Sequence, residues 1–148
     1  MKNPVRWLTL ALLLDCGACG EKTAQPASAS SAETPAEAPD PLGQKVYTHN
    51  CMVCHMQNGM GVPGLNPPLS KTDWVNGDKE RLIKVVLNGL TEPIEIHGEV
   101  YQGVMASHAH LSDAEIAAVL TYVRSNFGNQ SGEISEAEVA AIRAANQP

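Results

Sequence analysis

Cys51-Met52-Val53-Cys54-His55 puts two thiols and an imidazole into five consecutive residues. On one helical turn, thiols three residues apart can both form thioether bonds to the vinyl groups of a single porphyrin. The next residue then brings its imidazole to the iron from the same side, as the proximal axial ligand. Two other chemistries use a C-x-x-C spacing. A redox dithiol needs a thioredoxin-like βαβ setting, and a zinc site needs a second ligand pair. Neither accompanies this motif, and no cysteine follows Cys54. The expected cofactor is therefore one haem c, held through Cys51 and Cys54 with His55 on the iron.

The other two cysteines lie near the start of the chain. Lys2 and Arg6 precede the apolar run Trp7-Leu8-Thr9-Leu10-Ala11-Leu12-Leu13-Leu14, which suits the hydrophobic part of a secretory signal and is too short to span a bilayer. Asp15-Cys16-Gly17-Ala18-Cys19-Gly20 follows, and it resembles the lipobox of bacterial lipoproteins. Cys19 is the expected lipid carrier, because small Ala18 precedes it whereas acidic Asp15 precedes Cys16. Plain signal cleavage without lipid is the alternative. A zinc or disulfide role for Cys16 and Cys19 lacks the surrounding ligands or fold. The stretch 21–41 carries six alanines and four prolines with no Val, Ile, Leu or aromatic residue. It cannot bury enough apolar surface to offset its ordering entropy, so it reads as a semi-extended tether. The expected organisation is a lipoprotein-type signal over 1–18, a linker over 19–41 and a domain over 42–148.

Several local signals frame the motif. Asp40-Pro41 places a cap before a proline suited to a first helical turn, and Val46, Tyr47, Cys51 and Cys54 then recur at helical spacing. Asp78 predicts the cap of a second helix, with Leu82, Ile83, Val86 and Leu87 on its apolar face and Gly89 as its stop. Ser112-Asp113-Ala114-Glu115 is a capping box. Behind it Ile116, Val119, Leu120, Val123 and Phe127 share a stripe that Gly128 is expected to end. Ser135 opens a short C-terminal helix anchored by Val139 and Ile142. Gly59 to Thr72 reads as irregular loop. Ile94, Ile96 and Val100 around His97-Gly98 predict a small hairpin. The domain is thus expected to be all-α, with three to five helices and a hairpin or irregular loop late in the chain.

These residues together resemble the class I c-type cytochromes, in particular bacterial monohaem domains. The resemblance runs from about Leu42 to Gly128 and rests on Gly43-Gln44-Lys45-Val46-Tyr47, the attachment motif, Asn66-Pro67-Pro68-Leu69, Gly103-Val104-Met105, Leu111-Ser112-Asp113-Ala114-Glu115-Ile116 and Val119 to Asn129. It implies a cytochrome c fold wrapped around the haem, with Met105 as the second axial ligand. A neutral thioether there favours Fe(II) and raises the reduction potential. It further implies that a carbonyl at Pro67-Pro68 accepts from His55 Nδ1, and that Leu69, Leu82, Val86 and Leu120 pack on the porphyrin. Trp74 and Tyr101 are expected to wall the haem or reach a propionate. Many relatives follow the methionine with proline, whereas this chain has Ala106-Ser107-His108-Ala109-His110, a looser loop with two histidines near the ligand.

Composition narrows the function classes. Sixteen acidic against ten basic residues, a formal charge of −6, argue against a nucleic-acid-binding face. Only 4% of the residues are aromatic, fewer than a core of this size usually draws on, which suits a flat cofactor in the middle. The leading expectation is a non-enzymatic electron carrier in the bacterial cell envelope, periplasmic and membrane-anchored through Cys19. It would serve redox proteins as donor and acceptor, as a monomer unless part of a complex. A cytochrome subunit of a larger oxidoreductase is one alternative. A gas-binding haem protein with a labile Met105 is another.

Overall fold

Helix α1 (Pro41–Val46) opens on the proline whose fixed φ suits a first turn. The computed structural model describes residues 41–146; the signal, the tether before Pro41, the Asp40 cap and Cys19 lie outside the described residues. A π-helical turn (Tyr47–Cys51) and α2 (Met52–His55) follow directly. Val46, Tyr47, Cys51 and Cys54 recur at helical spacing, and the structure interrupts that spacing with the π turn. The Met52 N–H bonds back five residues to the Tyr47 carbonyl, which adds one residue to that turn. Tyr47 thereby stays in the core, its hydroxyl donating to the Met56 carbonyl at 2.6 Å, while Cys51, Cys54 and His55 line an interior cavity.

Helix α3 (Asp73–Asn76) is a single turn capped by Thr72, and sequence periodicity misses it because four residues are too few to show a stripe. Helix α4 (Lys79–Asn88) starts at the predicted cap, where the Asp78 carboxylate accepts from the Arg81 N–H at 2.7 Å, and ends at Gly89. Strands β1 (Ile94–Ile96) and β2 (Glu99–Tyr101) form the predicted hairpin, with Ile94 opposite Tyr101. Helices α5 (Asp113–Ser125) and α6 (Glu136–Ala145) both begin with complete capping boxes, at Ser112 and Ser135. Among the described residues the fold is mostly helical with one two-stranded sheet, as the sequence predicts; six α-helices stand where three to five are expected, because the π turn splits the first helix and α3 is a single turn. Among the described residues no helix is long and apolar enough to cross a membrane.

The core forms where α1 and α4 meet α5. Ile83 and Ile116 are fully buried, and each such side chain contributes about 1.5–3 kcal/mol. Gly43 decides how closely α1 approaches: a Cβ there would run into the Ala118 carbonyl and the Tyr122 Cβ. Helix α6 docks through Val139, also fully buried, and through a Lys79–Glu138 ion pair at 2.8 Å. Arg124 is 4% exposed, and its Nε donates to the Gly132 carbonyl at 2.7 Å and its Nη1 to the Val75 carbonyl at 2.5 Å. It ties α5 to α3 and to the strand of chain that leads into α6.

Helix α5 ends at Ser125, three residues before the expected stop. Asn126 Nδ2 donates to the Tyr122 carbonyl at 2.8 Å, occupying a terminal acceptor, and Phe127 then takes a left-handed φ of 55°. The turn brings the Phe127 ring to 5.0 Å from the Tyr47 ring and 5.8 Å from the Tyr122 ring, centroid to centroid. Packing of this aromatic trio thus overrides the helical stripe that Phe127 would otherwise complete.

Candidate functional site

A cavity of about 320 Å³ lies beside the core, lined by the attachment helix, the 66–69 loop, α4, the hairpin, the 103–111 loop and α5. Its walls are largely aliphatic: Leu69, Val75, Leu82, Val86, Ile94, Ile96, Val119, Leu120 and Val123 all face it. Cys51, Cys54 and His55 line it together, and so does Met105.

The two thiols are not disulfide-bonded; Cys54 is exposed and Cys51 half-buried. Burial, and then the neighbouring Cys54, push the Cys51 thiol up to about 11. His55 is 8% exposed, and burial lowers its pKa, which favours the neutral ring. Its Nδ1 lies 3.0 Å from the Pro67 carbonyl. A carbonyl can only accept, so Nδ1 carries the proton and Nε2 keeps a lone pair for a metal. The orienting bond also makes the ring a better donor. Gly61 is what lets the loop close this way. Its N–H bonds to the His55 carbonyl, its φ is +64°, and a Cβ would strike the Asn66 and Pro67 backbone.

Met105 is held by the backbone on both sides. It pairs with Leu90 through Leu90 N–H to Met105 O at 2.9 Å and Met105 N–H to Leu90 O at 2.8 Å. The side chain is partly buried against the core.

The softer candidates divide. Pro67 and Leu69 line the cavity, and the Leu69 N–H is fixed by the Gly59 carbonyl at 2.7 Å. Trp74 lines it too, with the Arg81 guanidinium 4.6 Å from its ring centroid. Tyr101 is a buried wall, and its hydroxyl donates to Glu99 Oε2 at 2.9 Å. His108 lines the cavity and places its ring nitrogens 2.8 Å from the Ala106 carbonyl and 3.3 Å from the Asn50 carbonyl. His110 is exposed, stacks on His108 with centroids 5.8 Å apart, and is not among the cavity's walls. Met52, Met56 and Met60 do not line it either.

Asn129 ends the run that carries the family resemblance, with no site role expected of it, and the structure makes it a hub. The residue is 3% exposed. Its Nδ2 donates to the Leu69 and Val123 carbonyls at 2.9 and 2.8 Å, while Oδ1 accepts from Lys71 N–H at 2.7 Å and Asn76 Nδ2 at 3.0 Å. It thus pins one cavity wall to the end of α5. The Phe127-Gly128-Asn129 run signals a turn, but only tertiary packing brings Leu69 to it.

The residues fit a haem. Two thiols, an oriented imidazole and a thioether share one apolar cavity, and among the described residues no cluster of three or more His, Cys, Asp or Glu side chains suggests a different metal centre. Comparison with known proteins agrees. The family model described as cytochrome c matches residues 41–127. Cytochrome c-552 of Thermus thermophilus is 45% identical over 91 residues, covering 59% of this chain and 69% of that protein. The cytochrome c subunit of a quinone alcohol dehydrogenase from Gluconobacter oxydans is 33% identical over 108 residues, covering 72% of this chain but 23% of that subunit. A cbb3-type cytochrome c oxidase subunit of Azospirillum brasilense is 30% identical over 95 residues, covering 60% of this chain and 28% of that subunit. The chain belongs to the cytochrome c family, whose members carry electrons on a haem c, attached here through Cys51 and Cys54.

Proposed function

We propose that this chain is a one-electron carrier of the bacterial cell envelope, with His55 and Met105 as the two axial ligands of its haem. The observation that carries the reading is that His55, its proton already committed to Pro67, and Met105 line the same apolar cavity. When bound, the haem supplies reversible one-electron oxidation and reduction of its iron. With His55 and Met105 both on the iron no position would remain for substrate, and the aliphatic walls would limit reorganisation of water around the charge.

Partners exchange electrons at the cavity rim. Val53 and Val104 line the cavity yet are 77% and 70% exposed, an apolar edge suited to brief docking by a redox protein. A place as one subunit of a dehydrogenase or oxidase is the second reading, favoured by the likeness to such subunits. The greater identity with cytochrome c-552, and the larger share of that protein's own length that is matched, favour the carrier.

A redox titration with optical detection tests this. A single one-electron wave is expected, with a far-red ferric band from methionine–iron ligation and no carbon monoxide uptake by the reduced protein at neutral pH. Carbon monoxide binding would instead support the gas-binding alternative.

The same reading places the domain on a tether ending in a lipid at Cys19. Cys19→Ser is expected to move the protein from the membrane fraction to the soluble one, because a diacyl anchor is the main membrane contact proposed. A variant that stays in the membrane fraction argues against the anchor.

A further inference from the structure

The loop that carries Met105 is held to the fold in two halves. The first half is sewn to α4 and the residues after it. Met105 pairs with Leu90, Ser107 Oγ donates to the Leu87 carbonyl at 2.5 Å, and the His108 N–H donates to the Val86 carbonyl at 2.9 Å. Beyond His108 the chain buries Leu111 in the core, and one side chain on α6 ties down its carbonyls. Arg143 Nη1 donates to the Ala109 carbonyl at 2.9 Å, Nη2 to the Leu111 carbonyl at 2.7 Å, and Nε to Asp113 Oδ1 at 2.6 Å. Both members of the Arg143–Asp113 pair are only 26% exposed, so solvent screens the contact less than at an open surface.

Three bonds from one planar guanidinium hold it in one orientation, and a fork of this kind is pre-organised in a way a lysine ammonium is not. They fix the loop's exit and the first turn of α5 to the same atoms. The residue after Met105 is Ala106, whose φ no ring restrains, so loop rigidity has to come from elsewhere. Helix α6 lies beyond the stretch matched by the family model, which ends at 127. Its docking does not depend on Arg143 alone, since Val139 is fully buried and Lys79 pairs with Glu138.

Resting on the proposed ligation by Met105, we infer that Arg143 is a positioning residue for that ligand. It clamps the far half of the ligand loop and so sets how often the methionine leaves the iron. Helix α6 is then a strap for the haem site in addition to a cover for the core.

The test is imidazole binding to the ferric holoprotein, because imidazole can bind only where Met105 has moved away. Arg143→Met is expected to bind imidazole about tenfold more tightly than wild type, the loss of roughly one net charged hydrogen bond from the closed state. Haem content and helical circular dichroism should match wild type. Arg143→Lys keeps a charge beside Asp113 but cannot serve three acceptors at once, so its gain is expected to be about threefold; it also carries the test should Arg143→Met fail to accumulate. Lys79→Met loosens α6 at a point away from the loop and is expected to leave imidazole affinity within about twofold of wild type. Unchanged affinity in the Arg143 variants overturns the clamp. An equal gain in Lys79→Met overturns it too, by showing that any loosening of α6 suffices. Failure of methionine ligation itself has a different signature: wild type would lack the far-red ferric band, and Met105→Ala would bind imidazole no better than wild type.

Discussion

His55→Ala is expected to yield little or no stably folded haem protein. Two losses coincide in that substitution. The iron loses its proximal imidazole, and the Pro67 carbonyl loses the donor that orients the 59–68 loop against α2. The cavity those elements frame is about 320 Å³. Its walls are largely aliphatic, so a haem that is lost or loosely seated leaves that apolar surface facing water. A small domain has only about 5–15 kcal/mol of total stability, and such exposure draws on that margin. The check is haem absorbance per mole of purified protein, together with a thermal melt. A variant with the wild-type spectrum and melting temperature would show that another residue holds the iron from this side.

Met105→Ala is expected to act differently, keeping the haem and changing its chemistry. Cys51, Cys54 and His55 are untouched, and the Met105–Leu90 backbone pairing survives loss of the side chain. With the thioether gone, the sixth position opens to water, carbon monoxide or a nearby histidine. His108 is the nearest candidate by geometry, since it lines the cavity, whereas His110 faces solvent. Nitrogen or oxygen donors stabilise Fe(III) relative to a thioether, so the potential falls. The fall should be on the order of 0.1–0.3 V, a fraction of the roughly 0.8 V that axial ligand identity spans. The far-red ferric band should disappear and the reduced protein should take up carbon monoxide. An unchanged potential and spectrum would remove Met105 from the ligand set.

The elements that were legible in the sequence are those specified by neighbours along the chain. The caps at Asp78, Ser112 and Ser135 each involve a side chain bonding a backbone three residues away, so four letters suffice to read them. The hairpin turn at His97-Gly98 and the stop at Gly89 are equally local. Where expectation and structure differ, a distant partner intervenes. Phe127 leaves the helical stripe because Tyr47, eighty residues earlier in the chain, offers its ring a better contact. The π turn at Tyr47–Cys51 reconciles two demands on one helix, a tyrosine facing the core and cysteines facing the cavity. No spacing rule within the helix contains both.

The sequence by itself determined that this chain takes a haem c. The five residues from Cys51 to His55 are a complete chemical instruction, with both thiols and the first imidazole on adjacent turns. The scarcity of aromatic residues left room for a cofactor in the core. Tertiary structure alone decided how that instruction is tuned. It brings the Pro67 carbonyl to His55, Met105 to the cavity that His55 lines, Asn129 to the carbonyl of Leu69, and Arg143 to the far half of the ligand loop. These contacts join residues from 12 to 60 positions apart. Local propensity cannot encode them, because what selects them is the shared burial of α1, α4, α5 and α6 around one core. The attachment of the haem was therefore written in five letters, and the rigidity of its ligands in the packing of the whole domain.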